Sequence, residues 1–226
     1  MTKAKKKPLP NLIFVHVPKC AGTSVIDALA KVYKSKLWHP MEFRRTRRHV
    51  GWQWQSSLTF TEGDLSKAPS KYVRAIAGHF TWRRWGHLDW PNIVFLRNPR
   101  DRILSQYSIK GNRKAAKSFK DFMDSGPNSM SQMVGTLSRY TFVGLQEHFE
   151  ESMEMLEWHL GVSFKRPFKY RNLNKAPKFV PTKKGYRYID HSSRDDIRLY
   201  KEALRRFEQQ REAYQRERRS HHARHH

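Results

Sequence analysis

Compact apolar runs alternate along this chain with stretches whose apolar residues recur every three or four positions. Leu12 to Val17 is a short run of β-forming residues. Ser24 to Tyr33 then sets Val25, Ile26, Leu29, Val32 and Tyr33 at helical spacing, which predicts a strand, a loop and a helix in quick succession. Tyr72 to Ala77 and Asn92 to Leu96 read as two further strands, each running into a polar cluster, Gly78-His79 and Arg97-Asn98-Pro99. A helix over Asp101 to Ile109 follows Pro99, and Phe119, Phe122 and Met123 mark a short one. Glu147 to Leu160 carries Phe149, Met153, Leu156 and Leu160 on one face and stops at Gly161. Phe164 to Tyr170 is expected to form another strand. Pro177, Pro181 and Gly185 mark a loop, and a last helix begins near Ser193 with Ile197, Tyr200, Leu204 and Phe207 on a shared face. Residues 38–60 show no period and alternate aromatic with basic side chains, as a long surface segment would. No internal repeat is visible. Strands alternating with helices predict a single α/β domain in layers, with a central, mostly parallel sheet flanked by helices. The domain is expected over residues 11–208, between a basic flexible tail at 1–10 and a basic, His-rich tail at 209–226.

Composition narrows what such a domain can do. At 226 residues one core is expected, not two. Lys and Arg number 45 against 20 Asp and Glu, a formal charge of +25, so the partner or ligands should be anionic. Nucleic acid, anionic polysaccharide, a membrane surface and a phosphorylated cofactor all satisfy that sign. The single cysteine, Cys20, excludes an intramolecular disulfide and favours a reducing compartment. No run approaches the ~18 apolar residues of a membrane span, and the lysine-rich start leads into no signal-type apolar core. A soluble, cytoplasmic protein is the expectation.

Two constellations carry candidate chemistry. In HVPKCAGTS the chain passes from a strand through a small-residue turn into a helix start, an order that lets backbone N–H groups and the helix dipole face an anion. Lys19 precedes Gly22, whereas the nucleoside triphosphate loop GxxxxGK[ST] places its lysine after the last glycine, so a different phosphorylated ligand is implied. A plain turn followed by a Thr or Ser cap also fits these residues. In IVFLRNPRDRILSQY, Arg97 ends a strand and Ser105 lies in the next helix, a guanidinium and a hydroxyl that suit a second phosphate. Self-paired Arg-Asp-Arg charges at a helix start are the other reading.

Taken together, HVPKCAGTS and FLRNPRDRILSQY resemble the PAPS-dependent sulfotransferases, in particular the carbohydrate branch acting on heparan and related glycans. FVGLQEHFEESMEMLEWHLG is similar to that family's segment leading into a long amphipathic helix. The resemblance implies a P-loop-like three-layer domain and a donor, PAPS, leaving as the product PAP. Its 5′-phosphosulfate would meet Lys19, Cys20, Ala21, Gly22, Thr23 and Ser24, and its 3′-phosphate Arg97 and Ser105. NLNKAPKFVPTKKGYRY resembles the late loop that closes over the nucleotide, which implies contacts from Thr182, Lys183, Lys184 and Gly185. Two positions depart from the pattern. Asn98 stands where Asp is common, so the brace on Arg97 is expected to differ, and Cys20 replaces a frequent Thr.

Sulfuryl transfer needs a base for the acceptor hydroxyl and positive charge on the leaving oxygen. AGHF puts His79 just past the second strand, where the resemblance places the base of the glycan-uronyl branch. His79 is therefore the expected base, ahead of His87 and then Glu42 or Glu62, with Lys19 on the leaving oxygen and no metal required. A histidine capping the strand or packing on Trp82 and Trp85 is the structural alternative. For the acceptor, Arg44, Arg45, Trp52 and Trp54, with Trp82, Arg83 and Arg84, combine charge and flat apolar faces suited to a saccharide or related hydroxyl compound, anionic or neutral. Such a surface also suits single-stranded nucleic acid, so a basic nucleic-acid-binding module is the competing reading, although no obligate nucleic acid is expected. A P-loop kinase relative is disfavoured by the loop order.

Overall fold

The apolar runs become buried strands. The computed structural model describes residues 8–38, 73–109, 116, 118–126, 129–168 and 179–223. Within them β1 (Leu12–Val15), β2 (Leu37–Trp38), β3 (Ala75–Gly78), β4 (Asn92–Leu96) and β5 (Phe142–Leu145) form one sheet in the order β2-β3-β1-β4-β5. Every pairing is parallel, with Val15 level with Gly78 on one side and Val94 on the other. A parallel sheet covered on both faces needs continuous apolar strands instead of alternating ones, and β1, β3 and β5 are buried at every position. Each Leu or Phe so buried contributes roughly 1.5–3 kcal/mol by area.

Seven helices flank the sheet among the described residues. They are α1 (Gly22–Tyr33), α2 (Pro99–Tyr107), α3 (Phe119–Asp124), α4 (Met130–Val134), α5 (Phe149–Leu160), α6 (Lys183–Ser192) and α7 (Arg194–Ala223). α1 seats Val25, Ala28 and Leu29 on the sheet, while α2, α3 and α6 share a smaller cluster of Ile103, Tyr107, Phe122, Met123 and Ile189. α7 buries Ala203 and Phe207 and closes the edge strand. Gln210 accepts a hydrogen bond from Val143 N at 3.0 Å and donates to Val143 O at 2.8 Å. Ser152 treats Leu145 in the same way at 2.9 and 3.1 Å, so the outward polar groups of β5 are occupied by side chains.

Several expectations are corrected. Residues 164–168 are not a strand: the Phe164 N–H donates to the Glu157 carboxylate and Phe168 packs edge-on to Phe149, which folds the segment over α5. The stretch around Gly185 is the first turn of α6 and not a loop, because Thr182 caps it by accepting from Gly185 N at 3.2 Å. Helical backbone continues past Gln209 to Ala223, with Tyr214 against Trp158 at 5.7 Å between ring centres. β2, β5 and α4 were not expected. Among the described residues no helix is long and apolar enough to cross a membrane.

Candidate functional site

Parallel strands put their C-terminal ends at one edge of the sheet, and four polar segments meet there: His16 to Lys19 after β1, His79 after β3, Arg97 and Asn98 after β4, and Gln146 and Glu147 after β5. Open α/β sheets bind ligands at this edge.

The loop after β1 is unusual in its backbone. Lys19 (φ 68°) and Ala21 (φ 61°) are both left-handed without being glycine, conformations that cost on the order of 1–3 kcal/mol each. Left-handed backbone on both sides of Cys20 is the kind of turn that forms an anion-binding nest of N–H groups. Ala21 is also the N-cap of α1 and offers no side-chain acceptor to close the first turn. Gly22 has no room for a side chain, since a Cβ would lie 1.8 Å from Cδ2 of His16. Cys20 is fully buried beneath the loop, its thiol directed to Pro18 O at 3.6 Å and its pKa pushed up by burial to about 12. It thus forms a buried, neutral wall of the loop.

Two cations converge on this concavity. Lys19 is half-buried, and its pKa is lowered first by desolvation and then by the charge of Arg97. Arg97 donates from Nη1 to Lys19 O at 3.4 Å, while its buried Nε has no hydrogen-bond partner among the described residues. Within those residues neither cation has a carboxylate at ion-pair distance. Two adjacent cations, one with an orphaned donor, over an uncapped helix N-terminus form a place for a polyanionic group.

His79 sits beside them through sheet register. Because Val15 is level with Gly78, the next residues on the two strands, His16 and His79, come side by side. His79 Nδ1 lies 2.6 Å from His16 O, so Nδ1 carries the proton and donates, which leaves Nε2 as the basic nitrogen. The imidazoles of His16 and His79 stack with centroids 3.9 Å apart.

A family model described as Sulfotransferase family matches residues 4–218. The chain belongs to that family. No curated protein matches it. Membership assigns sulfuryl transfer in general.

Lys19 to Ser24, His79 and Arg97 come together at one edge. Ser105 lies on α2, half-buried, on the flank next to Arg102 and Gln106 and away from the cluster around Ile103 and Tyr107. Thr182 to Gly185 form the opening turn of α6, whose Asp190 receives both Arg100 Nε at 2.6 Å and Nη2 at 2.5 Å; this ion pair docks α6 on the helix that carries Ser105. Lys183 and Lys184 occupy the positive end of α6, and no acidic residue stands in its first turn.

Asn98 does not brace Arg97. Its side chain caps α2, accepting from Arg100 N at 3.0 Å, and its own N–H donates to Glu147 Oε1 at 2.7 Å. Glu147 therefore fixes the strand-end turn that carries Arg97, a role missed from sequence although it ends the VGLQE segment. His16 was missed too; its position just ahead of Val-Pro-Lys was the available signal.

The acceptor residues fare differently. Trp82 lines a cleft of about 510 Å³ with Trp90, Asn92, Arg139 and Thr141, at the N-terminal ends of β4 and β5 and thus opposite the loop after β1. Its indole carries the Arg139 guanidinium at 3.9 Å, and Arg83 and Arg84 lie over Trp82 and Trp85 at 5.5 and 5.0 Å. The structure does not bring Trp82 to the loop. His87 is exposed on the return toward that far edge, beside Trp85. Arg44, Arg45, Trp52, Trp54, Glu42 and Glu62 lie outside the described residues.

Proposed function

We infer that this sulfotransferase moves a sulfuryl group from PAPS to a hydroxyl of a saccharide or related acceptor. The observation that carries the reading is the pairing, at one sheet edge, of a left-handed turn and two cations that have no carboxylate at ion-pair distance among the described residues with a histidine whose Nδ1–H donates to a carbonyl. The residues fit the donor's two phosphates: the Cys20 to Ser24 backbone and Lys19 for the 5′ group, and Arg97 with Ser105 for the 3′ group; Thr182 to Gly185, the opening turn of the helix that Arg100 docks on α2, are assigned to the nucleotide. PAPS supplies the activated sulfuryl group and a phosphate as leaving group.

The chain's own residues supply the rest. Lys19 places positive charge where the leaving oxygen gains negative charge, and desolvation strengthens that interaction. His79 Nε2 accepts the acceptor hydroxyl's proton while Nδ1–H stays on His16 O, which stabilises the imidazolium as it forms. Arg97 orients the donor through the guanidinium that lacks a partner at Nε.

PAP binding followed by thermal shift and calorimetry tests the donor site. Wild-type protein should be stabilised by PAP, and Lys19→Ala or Arg97→Ala should each weaken binding by about tenfold to a hundredfold. Undiminished affinity in both variants would remove the site assignment. His79→Ala should retain PAP affinity and lose ~10²-fold or more in turnover; wild-type turnover there would place the base elsewhere.

A further inference from the structure

His16 takes part in neither donor binding nor proton transfer as described above, yet its surroundings are built around it. Its side chain is 7% exposed. One neighbour is the Phe14 ring, nearly parallel at 13° and 5.8 Å between centroids, and another is His79, at 26° and 3.9 Å. At its edge stands Gly22, where no side chain fits because of the His16 ring. The imidazole thus lies in a stack of Phe14, His16 and His79, with the first turn of α1 closing one side.

His16 touches His79 in two ways. Its carbonyl accepts the Nδ1–H at 2.6 Å, and its ring covers a face of the His79 imidazole. Turning His79 about its Cβ–Cγ bond would break both contacts at once. The Nδ1 hydrogen bond by itself does not fix the ring plane, and a swing of the plane carries Nε2 away from a fixed acceptor oxygen. The ring face removes that freedom.

We propose that His16 is a positioning residue, whose carbonyl selects the tautomer of His79 and whose ring face holds the His79 plane so that Nε2 keeps one orientation. The assignment rests on the reading of His79 as base, and it ties base and donor loop into one unit: Gly22, in the turn that cradles the anion, packs against the residue that orients the base. The flat face of the His16 ring, not its nitrogens, does the positioning.

The test combines imidazole ¹⁵N spectra with steady-state kinetics on the full chain. In wild-type protein the His79 resonances should report a single Nδ1–H tautomer. His16→Ala keeps the carbonyl, so the single tautomer should persist, while loss of the ring face should broaden the His79 ring signals by exchange among ring orientations and lower kcat about tenfold, with KM for PAPS within about twofold. His16→Phe, which keeps a flat ring, should restore narrow His79 signals and most of kcat. If His16→Ala leaves the His79 line widths and kcat unchanged, or if His16→Phe is as slow as His16→Ala, the inference is overturned. Should His16→Ala fail to fold by circular dichroism, His16→Phe decides alone, broadened His79 signals overturning the proposal. Wild-type turnover in His79→Ala would sink the base assignment while leaving the spectral test of the stack intact.

Discussion

Two helix N-termini in this chain are finished in opposite ways. α4 begins under Asp196, a buried carboxylate from α7 that accepts from Met130 N (3.0 Å), Ser131 N (2.9 Å), Ser129 Oγ (2.6 Å) and Ser131 Oγ (2.9 Å), with the buried Arg102 guanidinium at 3.4 Å. α1 begins at a left-handed alanine with no side-chain cap, beside two cations that lack a carboxylate among the described residues. The same helix dipole is present at both ends. Where the chain supplies its own anion the terminus is a structural joint, here tying α2, α4 and α7 together. Where the described residues supply none, as at α1, the terminus belongs to the proposed donor site.

Removing the internal anion should have the largest effect. Asp196→Ala leaves Arg102 as a buried, uncompensated charge and uncaps α4, and is expected to cost about 3–5 kcal/mol in urea unfolding. Asp196→Asn should recover part of that loss, because an amide oxygen can still accept from Met130 or Ser131. A loss under about 1 kcal/mol would mean that this joint does not hold the helices.

That contrast explains how far the sequence could be read. β1 and β4 were legible because a buried parallel strand is a continuous apolar run, and the turn from β1 into α1 was legible because it follows such a run directly. β5 was not, since Phe142 to Leu145 merges with the amphipathic α5 and only the side chains of Gln210 and Ser152 reveal its edge. α6 was hidden by Pro181 and Gly185, residues that signal a loop until the Thr182 cap is seen. At the site, Lys19 and Arg97 declare themselves by standing at strand ends. The pairing of His16 with His79 is a product of register between segments far apart in sequence, and the Asp196 joint likewise links distant residues. Single-sequence periodicity carries neither.

A carboxylate brought to α1 should break the comparison from the other side. Ala21→Asp puts a carboxylate at the start of α1; Asp tolerates left-handed backbone better than most residues. Lys19 and Arg97 would pair with it, and PAP affinity should fall about a hundredfold, or ~2.7 kcal/mol, with no loss of stability in the free protein. Unchanged PAP affinity would show that the nest does not hold the phosphate.

The smallest effect is the most specific. Desolvation and Arg97 lower the folded-state pKa of Lys19 below 10.5, so between the folded and unfolded values the unfolded chain holds a proton that the folded chain has released. Stability therefore rises with pH through that window, and below it the cost of the charge is fully present. Lys19→Met should accordingly stabilise the free protein near pH 7, by under ~1 kcal/mol given that Lys19 is partly solvated, and the advantage should vanish as pH passes 10.5. Excess PAP should reverse the sign, because the bound phosphates turn the same ammonium from a burden into a contact. Urea melts of both proteins at neutral and alkaline pH, with and without PAP, read all three changes. A Lys19→Met variant less stable than wild type in the absence of PAP would mean that the lysine already has its anion, and α1 would then resemble α4 after all.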